Sequence, residues 1–148
     1  MDDQALMQLA LSAARRAGEL GEVPVGAVLT IGERVIVTAH NERERLHDPT
    51  AHAEILALKR ASRILGRWRL SDASLYVTLE PCPMCAGALV NSRLSRLIYG
   101  ALDPKAGAVE SLYKLAQDPR LNHRIDVVGG VCGEESAELL RSFFRARR

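Results

Sequence analysis

Residues 76–85 read YVTLEPCPMC, and no other stretch limits the possible folds as tightly. A β-branched and aromatic run stops at Pro81, and two cysteines follow at C-x-x-C spacing. Such a run is a strand. Pro83 suits the first position of a helix, where its missing N–H costs nothing. The chain therefore turns from strand to helix across Cys82, which becomes the N-cap, and Cys85 stands one turn on along the same face. Both sulfurs then lie at a helix N-terminus, where the dipole and free N–H groups favour thiolates. A redox dithiol, half of a structural zinc site and part of a catalytic metal centre all satisfy this much.

The rest of the chain supplies the frame. Residues 2–20 place Leu6, Leu9, Ala10, Ala13, Ala17 and Leu20 at helical spacing, and Gly21 ends that helix. Residues 25–31 and 34–39 flank a Gly32-Glu33 turn and predict a hairpin. Residues 40–50 are a polar loop, and a helix follows to Gly66, with Asp48 as its expected cap and Pro49 in its first turn. Strands are predicted at 74–79, 94–100 and 125–129, and helices at 83–92, 111–116 and 134–146. A hairpin followed by strands joined through helical crossovers is an α/β layer sandwich. At 148 residues and 47% hydrophobic, with aromatics at only 4%, the chain suits a single domain over 1–148 with an aliphatic core.

Several function classes drop out. No apolar run approaches the length of a membrane span. The N-terminus is acidic at its start with its arginines late, the reverse of a secretion signal. Three cysteines, an odd number, argue against a disulfide framework, so a reduced cytoplasmic compartment is expected. Net charge is only +2, although the last ten residues, LLRSFFRARR, carry four arginines and no acid. That tail is either a solvated helix end that complements its dipole or a surface for phosphates.

The second helix start narrows the cysteine question. It contains His52-Ala53-Glu54, 30 residues before Cys82. Two residues apart on a helix, His52 and Glu54 would point to opposite sides. They can serve one site only if that site lies off the helix end, which is what the cysteines also demand. His52, Cys82 and Cys85 then give three ligands, and catalytic zinc uses three protein ligands and keeps a fourth position open. Zinc lowers the pKa of bound water from about 15.7 toward ~7. Glu54 would carry the proton from that water to a leaving amine. A redox dithiol leaves the H-A-E triplet unused. A closed structural site would need a fourth ligand from Cys132, His40, His47 or His123, and a second C-x-x-C is absent. Cys132 reads as a small core residue.

H-x-E followed by P-C-x-x-C is the signature of zinc-dependent base deaminases. On it, the chain resembles the cytidine deaminase superfamily. Within that superfamily it is similar to the bacterial tRNA-specific adenosine deaminases over nearly its full length. The similar segments are EVPVGAVL (22–29), HNERERLHDPTAHAEI (40–55), the run from LYVTLEPCPMC to DPKAGAVESL (75–112), LNHRIDV (121–127) and LLRSFFRARR (139–148). The resemblance implies a three-layer α/β/α fold around a central mixed five-stranded sheet. It implies one Zn2+ per subunit, a homodimer, and hydrolytic conversion of adenosine to inosine at the wobble position of a tRNA anticodon, chiefly an arginine acceptor. Zinc hydroxide attacks C6 of adenine and ammonia leaves. Residues 83–92 and 40–50 are implied as dimer contacts. DNA is not an expected natural substrate.

Carried over by position, the resemblance gives His52, Cys82 and Cys85 to zinc and proton transfer to Glu54. Asn41 is expected to reach the nucleoside through its amide, and Val25 to line the base pocket. Asp103, Lys105, Asn122 and Phe144 fall in segments of the RNA-facing rim. Many relatives have a basic residue before the aspartate of the rim loop, where this chain has Leu102. Arg147 and Arg148 are expected to hold flanking phosphates. An anticodon loop suits a buried metal site, because a loop base is already partly unstacked and flips at low cost. The rival expectation is deamination of a free base or nucleoside, of guanine or cytosine type. A non-catalytic zinc-stabilised module would have no physical need for Glu54.

Overall fold

The computed structural model describes residues 1–147. Helix α1 (Asp3–Glu19) leads into β1 (Gly26–Ile31), β2 (Arg34–His40), a one-turn helix α2 (Arg43–Leu46) and α3 (Ala53–Leu65). Then follow β3 (Ala73–Leu79), α4 (Pro83–Asn91), β4 (Arg96–Ala101), a 3₁₀ turn (Leu115–Gln117), β5 (Asp126–Val128) and α5 (Gly133–Arg145). The strands form one mixed sheet in the order β2-β1-β3-β4-β5. β1 is antiparallel to both neighbours, whereas β3, β4 and β5 are parallel. The α/β expectation therefore holds, with helices on both faces.

Strand alternation sends side chains to two cores. Val28, Tyr76 and Ile98 lie side by side and pack with Leu6, Met7 and Ala10 of α1. Ala27, Leu29, Leu75, Val77, Leu97 and Tyr99 face the other way, onto Ala57 and Leu58 of α3 and Leu89 and Val90 of α4. α1 sits so close to β1 that a Cβ on Gly26 would collide with the backbone of Ala10 and Ala14.

Direction matters more than layers for the site. β2 and β3 are both antiparallel to β1, so they run the same way, and β4 runs with β3. The C-terminal ends of β2, β3 and β4 thus share one sheet edge. Asn41, Glu80 and Leu102 leave the sheet along it.

The element boundaries correct the sequence reading in four places. α3 begins at Ala53, not near Pro49, and its N-cap is His52 in extended backbone. Asp48 caps nothing there: its Oδ1 accepts from the Thr50 amide (2.8 Å) and hydroxyl (2.7 Å) in a local turn. The loop expected at 40–50 contains α2. The helix expected at 111–116 is turn followed by the 3₁₀ segment, and β4 starts at Arg96 after Arg93 takes a positive φ of 62°. No helix of the described residues is long and apolar enough to cross a membrane.

Candidate active site

Cys82 is the N-cap of α4 and Pro83 its first residue, so the strand-to-helix turn read from the sequence is present. His52 precedes α3 and Glu54 is its second residue, so both project from the helix end. The His52 Nδ1 lies 3.7 Å from Cys82 Sγ and 3.5 Å from Cys85 Sγ. One donor atom from each of the three residues lies within 4.8 Å of the others. No fourth His, Cys, Asp or Glu joins this group among the described residues. Two soft sulfurs and an imidazole are a donor set that suits zinc, and three ligands leave one position for solvent.

The side chains of this cluster shift one another's titration. The Cys82 thiol is held down to about 4, first by a hydrogen bond from Cys85 and then by His52. Cys85, the donor in that bond and itself buried, is pushed far up. A divalent ion held between them would bind both sulfurs as thiolates. His52 is raised, chiefly through its hydrogen bond to Cys82. Glu54 is 4% exposed, and burial pushes its carboxyl up to about 7.

A cleft of about 170 Å³ surrounds these groups, lined by Val25, Asn41, His52, Glu54 and Cys82 among others. It adjoins a groove of about 1060 Å³ along α5 and the 101–105 loop. Val23, Arg43, Leu79 and Asp103 line both.

Of the expected binding residues, Val25 is buried in the cleft wall. Asn41 also lines the cleft, but its amide already works for the fold. Its Oδ1 accepts from the Ala53 N–H (2.8 Å) and its Nδ2 donates to the Val23 carbonyl (3.2 Å). Asn41 therefore fixes the first amide of α3, the helix that presents Glu54. Asp103 lines cleft and groove, with Oδ1 accepting from the Lys105 amide (3.1 Å). Lys105 and Phe144 line the groove, and Phe144 is 49% exposed, so it is not core packing. Asn122 is exposed and lines neither space. The Arg147 guanidinium stacks over the Phe143 ring at 3.6 Å, and Arg148 lies outside the described residues. Exposed Leu102 adds an apolar wall to the groove.

Two residues that sequence reasoning passed over belong to this region. Arg43 lines both spaces, and no acid partners it among the described residues, whereas Arg141 and Arg145 are tied to Glu134 and Glu138. The turn that begins at Arg43 is held by Glu22, a buried carboxylate accepting from the Glu44 and Arg45 amides. Glu80, also buried, accepts from the amides of Asp103, Val109, Glu110 and Ser111. These contacts outweigh its burial and hold its carboxyl down to about 2. In the sequence this acid, at the end of YVTLE, reads only as the end of a strand.

Comparison with known proteins agrees with this geometry. A family model described as MafB19-like deaminase matches residues 1–148. A tRNA-specific adenosine deaminase of Bacillus subtilis (strain 168) is 50% identical over 146 residues, which is 99% of this chain and 91% of that protein. A solved structure from studies of A-to-I editing by tRNA:A34 deaminases at the wobble position of transfer RNA superposes with a TM-score of 0.89. It is 51% identical and covers 92% of this chain and 99% of its own. A guanine deaminase from Nitrosomonas europaea shares the fold more distantly, at 26% identity and a TM-score of 0.78, over 95% of this chain and 83% of its own. A match over the whole chain to that family, with about half of its residues shared by such relatives, shows that the chain belongs to the MafB19-like deaminase family, among its tRNA-specific adenosine deaminases.

Proposed function

We propose that this chain converts adenosine to inosine at the wobble position of a tRNA anticodon, as a zinc-dependent, cytoplasmic homodimer. The observation that carries the RNA half is the junction of the two spaces. A cleft of about 170 Å³ suits one base, whereas the adjoining groove of about 1060 Å³ exceeds what a free nucleoside needs. Lys105 and four arginines, Arg43, Arg141, Arg145 and Arg147, line that groove. Phosphates flanking a flipped nucleotide would meet them there.

His52, Cys82 and Cys85 would hold the zinc ion, one per subunit. When bound, zinc supplies the Lewis acidity that makes water a nucleophile near neutral pH. Glu54 does the proton work. Buried beside the three ligands, its carboxylate takes a proton from the attacking water and passes it to the amino nitrogen, which leaves as ammonia. Asn41 holds α3, and with it Glu54, against the Val23 carbonyl, and its second amide hydrogen can address the nucleoside. Val25 walls the base and keeps bulk water out of the cleft. Asp103 and Lys105 meet the backbone of the flanking nucleotides.

The fold shared with the guanine deaminase from Nitrosomonas europaea makes a free base the rival substrate. One experiment separates them. The purified protein, assayed for zinc, is offered an anticodon stem-loop with adenine at the wobble position, free adenosine, and free guanine or cytosine. Ammonia release and inosine in the digested RNA are read together. Inosine from the stem-loop alone is expected. Turnover of a free base with the stem-loop untouched would remove the RNA half, and metal analysis giving iron would remove the zinc half.

A further inference from the structure

We infer that Glu80 is a positioning residue: it locks the rim loop, residues 102–111, to the turn that carries Cys82, and so sets how firmly RNA is held. The inference rests on the RNA reading above. Glu80 follows β3 and is 2% exposed. Its Oε1 accepts from the Asp103 amide (2.9 Å) and the Ser111 hydroxyl. Its Oε2 accepts from the amides of Val109 (3.1 Å), Glu110 (2.8 Å) and Ser111 (2.9 Å). No lysine or arginine pairs with it among the described residues. Its charge is answered wholly by one loop.

The chain on either side adds to the lock. The Glu80 N–H donates to the Ala101 carbonyl, and the Ala108 N–H to the Pro81 carbonyl, both at 2.8 Å. Gly107 packs against the carboxylate so closely that a Cβ there would collide with it. Loop and carboxylate are therefore fitted to each other. Burying a carboxylate is costly, and an apolar side chain would fill the space at lower cost. A carboxylate is acceptor-only with about four lone-pair sites, so it can gather amide and hydroxyl donors as an apolar side chain cannot, and here five arrive from one loop, three of them sharing Oε2. The loop so gathered presents Asp103 to cleft and groove and Lys105 to the groove. Glu80 lines the cleft with His52, Glu54 and Cys82, but none of these bonds touches them, so the lock bears on grip more than on chemistry.

The test compares zinc-loaded wild type, Glu80→Gln and Ser111→Ala. Glutamine turns an acceptor into an NH2 that faces amide donors. Ser111→Ala removes one donor and leaves the carboxylate. Three readouts are taken: zinc content, exchange of the 103 and 109–111 amides, and kcat and KM on the anticodon stem-loop. For Glu80→Gln we expect unchanged zinc, lost amide protection, and a KM raised roughly tenfold or more while kcat moves less than about threefold. Ser111→Ala should raise KM in the same direction by a smaller factor. The inference is overturned if Glu80→Gln loses kcat or zinc with KM intact, or if protection of the four amides survives. Should Glu80→Gln not fold, unchanged KM and protection in Ser111→Ala overturns it. If the wild type leaves the stem-loop unedited, the RNA reading fails, and amide exchange alone decides whether Glu80 holds the loop.

Discussion

Replacing Asn41 by alanine removes two hydrogen bonds at once, one to the first amide of α3 and one to the Val23 carbonyl. Asn41 is 5% exposed, and the bond to Ala53 is buried. Each net bond contributes about 1 kcal/mol, and leaving the Ala53 N–H without an acceptor adds a desolvation cost of about the same size or more. The sum is roughly 3 kcal/mol. For a chain near this length, each kcal/mol moves Tm by about 2–4 °C, so Asn41→Ala should melt roughly 6–12 °C lower. Calorimetry at fixed zinc concentration measures this. Asn41 also seats the helix that carries His52 and Glu54, so turnover should fall as well. A Tm within about 2 °C of wild type would refute the reasoning, because α3 would then not depend on this side chain for its start.

Other outcomes follow from the same geometry. Glu54→Ala should keep zinc and fold while turnover drops by about 10²–10⁴-fold, the range for a lost acid–base group, and retained turnover would remove Glu54 from the chemistry. Replacing Arg147 and Arg148 together by alanine should weaken RNA binding and flatten its salt dependence; a titration identical to wild type would make the tail a solvated helix end. Arg96 bonds Asp3 at 2.7 Å and, as the largest influence, holds its carboxyl below the ordinary 3.8. That stabilisation is complete above this value and fades as pH falls through the lower folded-state pKa. Wild type and Asp3→Asn should thus differ by under about 1 kcal/mol at neutral pH, the pair being a third exposed, and converge in strong acid. A gap that widened on acidification would contradict it.

The His-Cys-Cys cluster was legible because its constraints are local. Proline at a first helical position and two cysteines three apart leave one way for the chain to turn, and His52 with Glu54 can cooperate only at a helix end. The succession of strands and helices along the chain was legible from alternation and crossovers, but not the order of the strands within the sheet. The rim was not. Glu80 looked like the tail of a strand, and nothing in its neighbours says that five donors arrive from residues 103–111. Arg43 sat in a polar loop whose one-turn helix depends on Glu22, some twenty residues earlier. Asp48 looked like a cap because Asp-Pro often opens helices, yet its carboxylate closed a tighter turn with Thr50. Long-range carboxylate-to-amide bonds have no period, so no window of sequence reveals them. Asn41 shows the other limit: resemblance offered it to the substrate, and the fold uses its amide first.

The common direction of β2, β3 and β4 has a consequence for how such a chain can diversify. Every proposed metal ligand and Glu54 are in place by Cys85, at the ends of β2 and β3. Most of the groove wall comes later, from the end of β4 and from α5. Chemistry and clientele are thus written in successive stretches of one chain, and they meet at a shared sheet edge. A chimera joined within β4, taking its remainder from a relative of the same fold, would keep the cleft with Val25, Asn41 and Glu54 and exchange most of the groove wall.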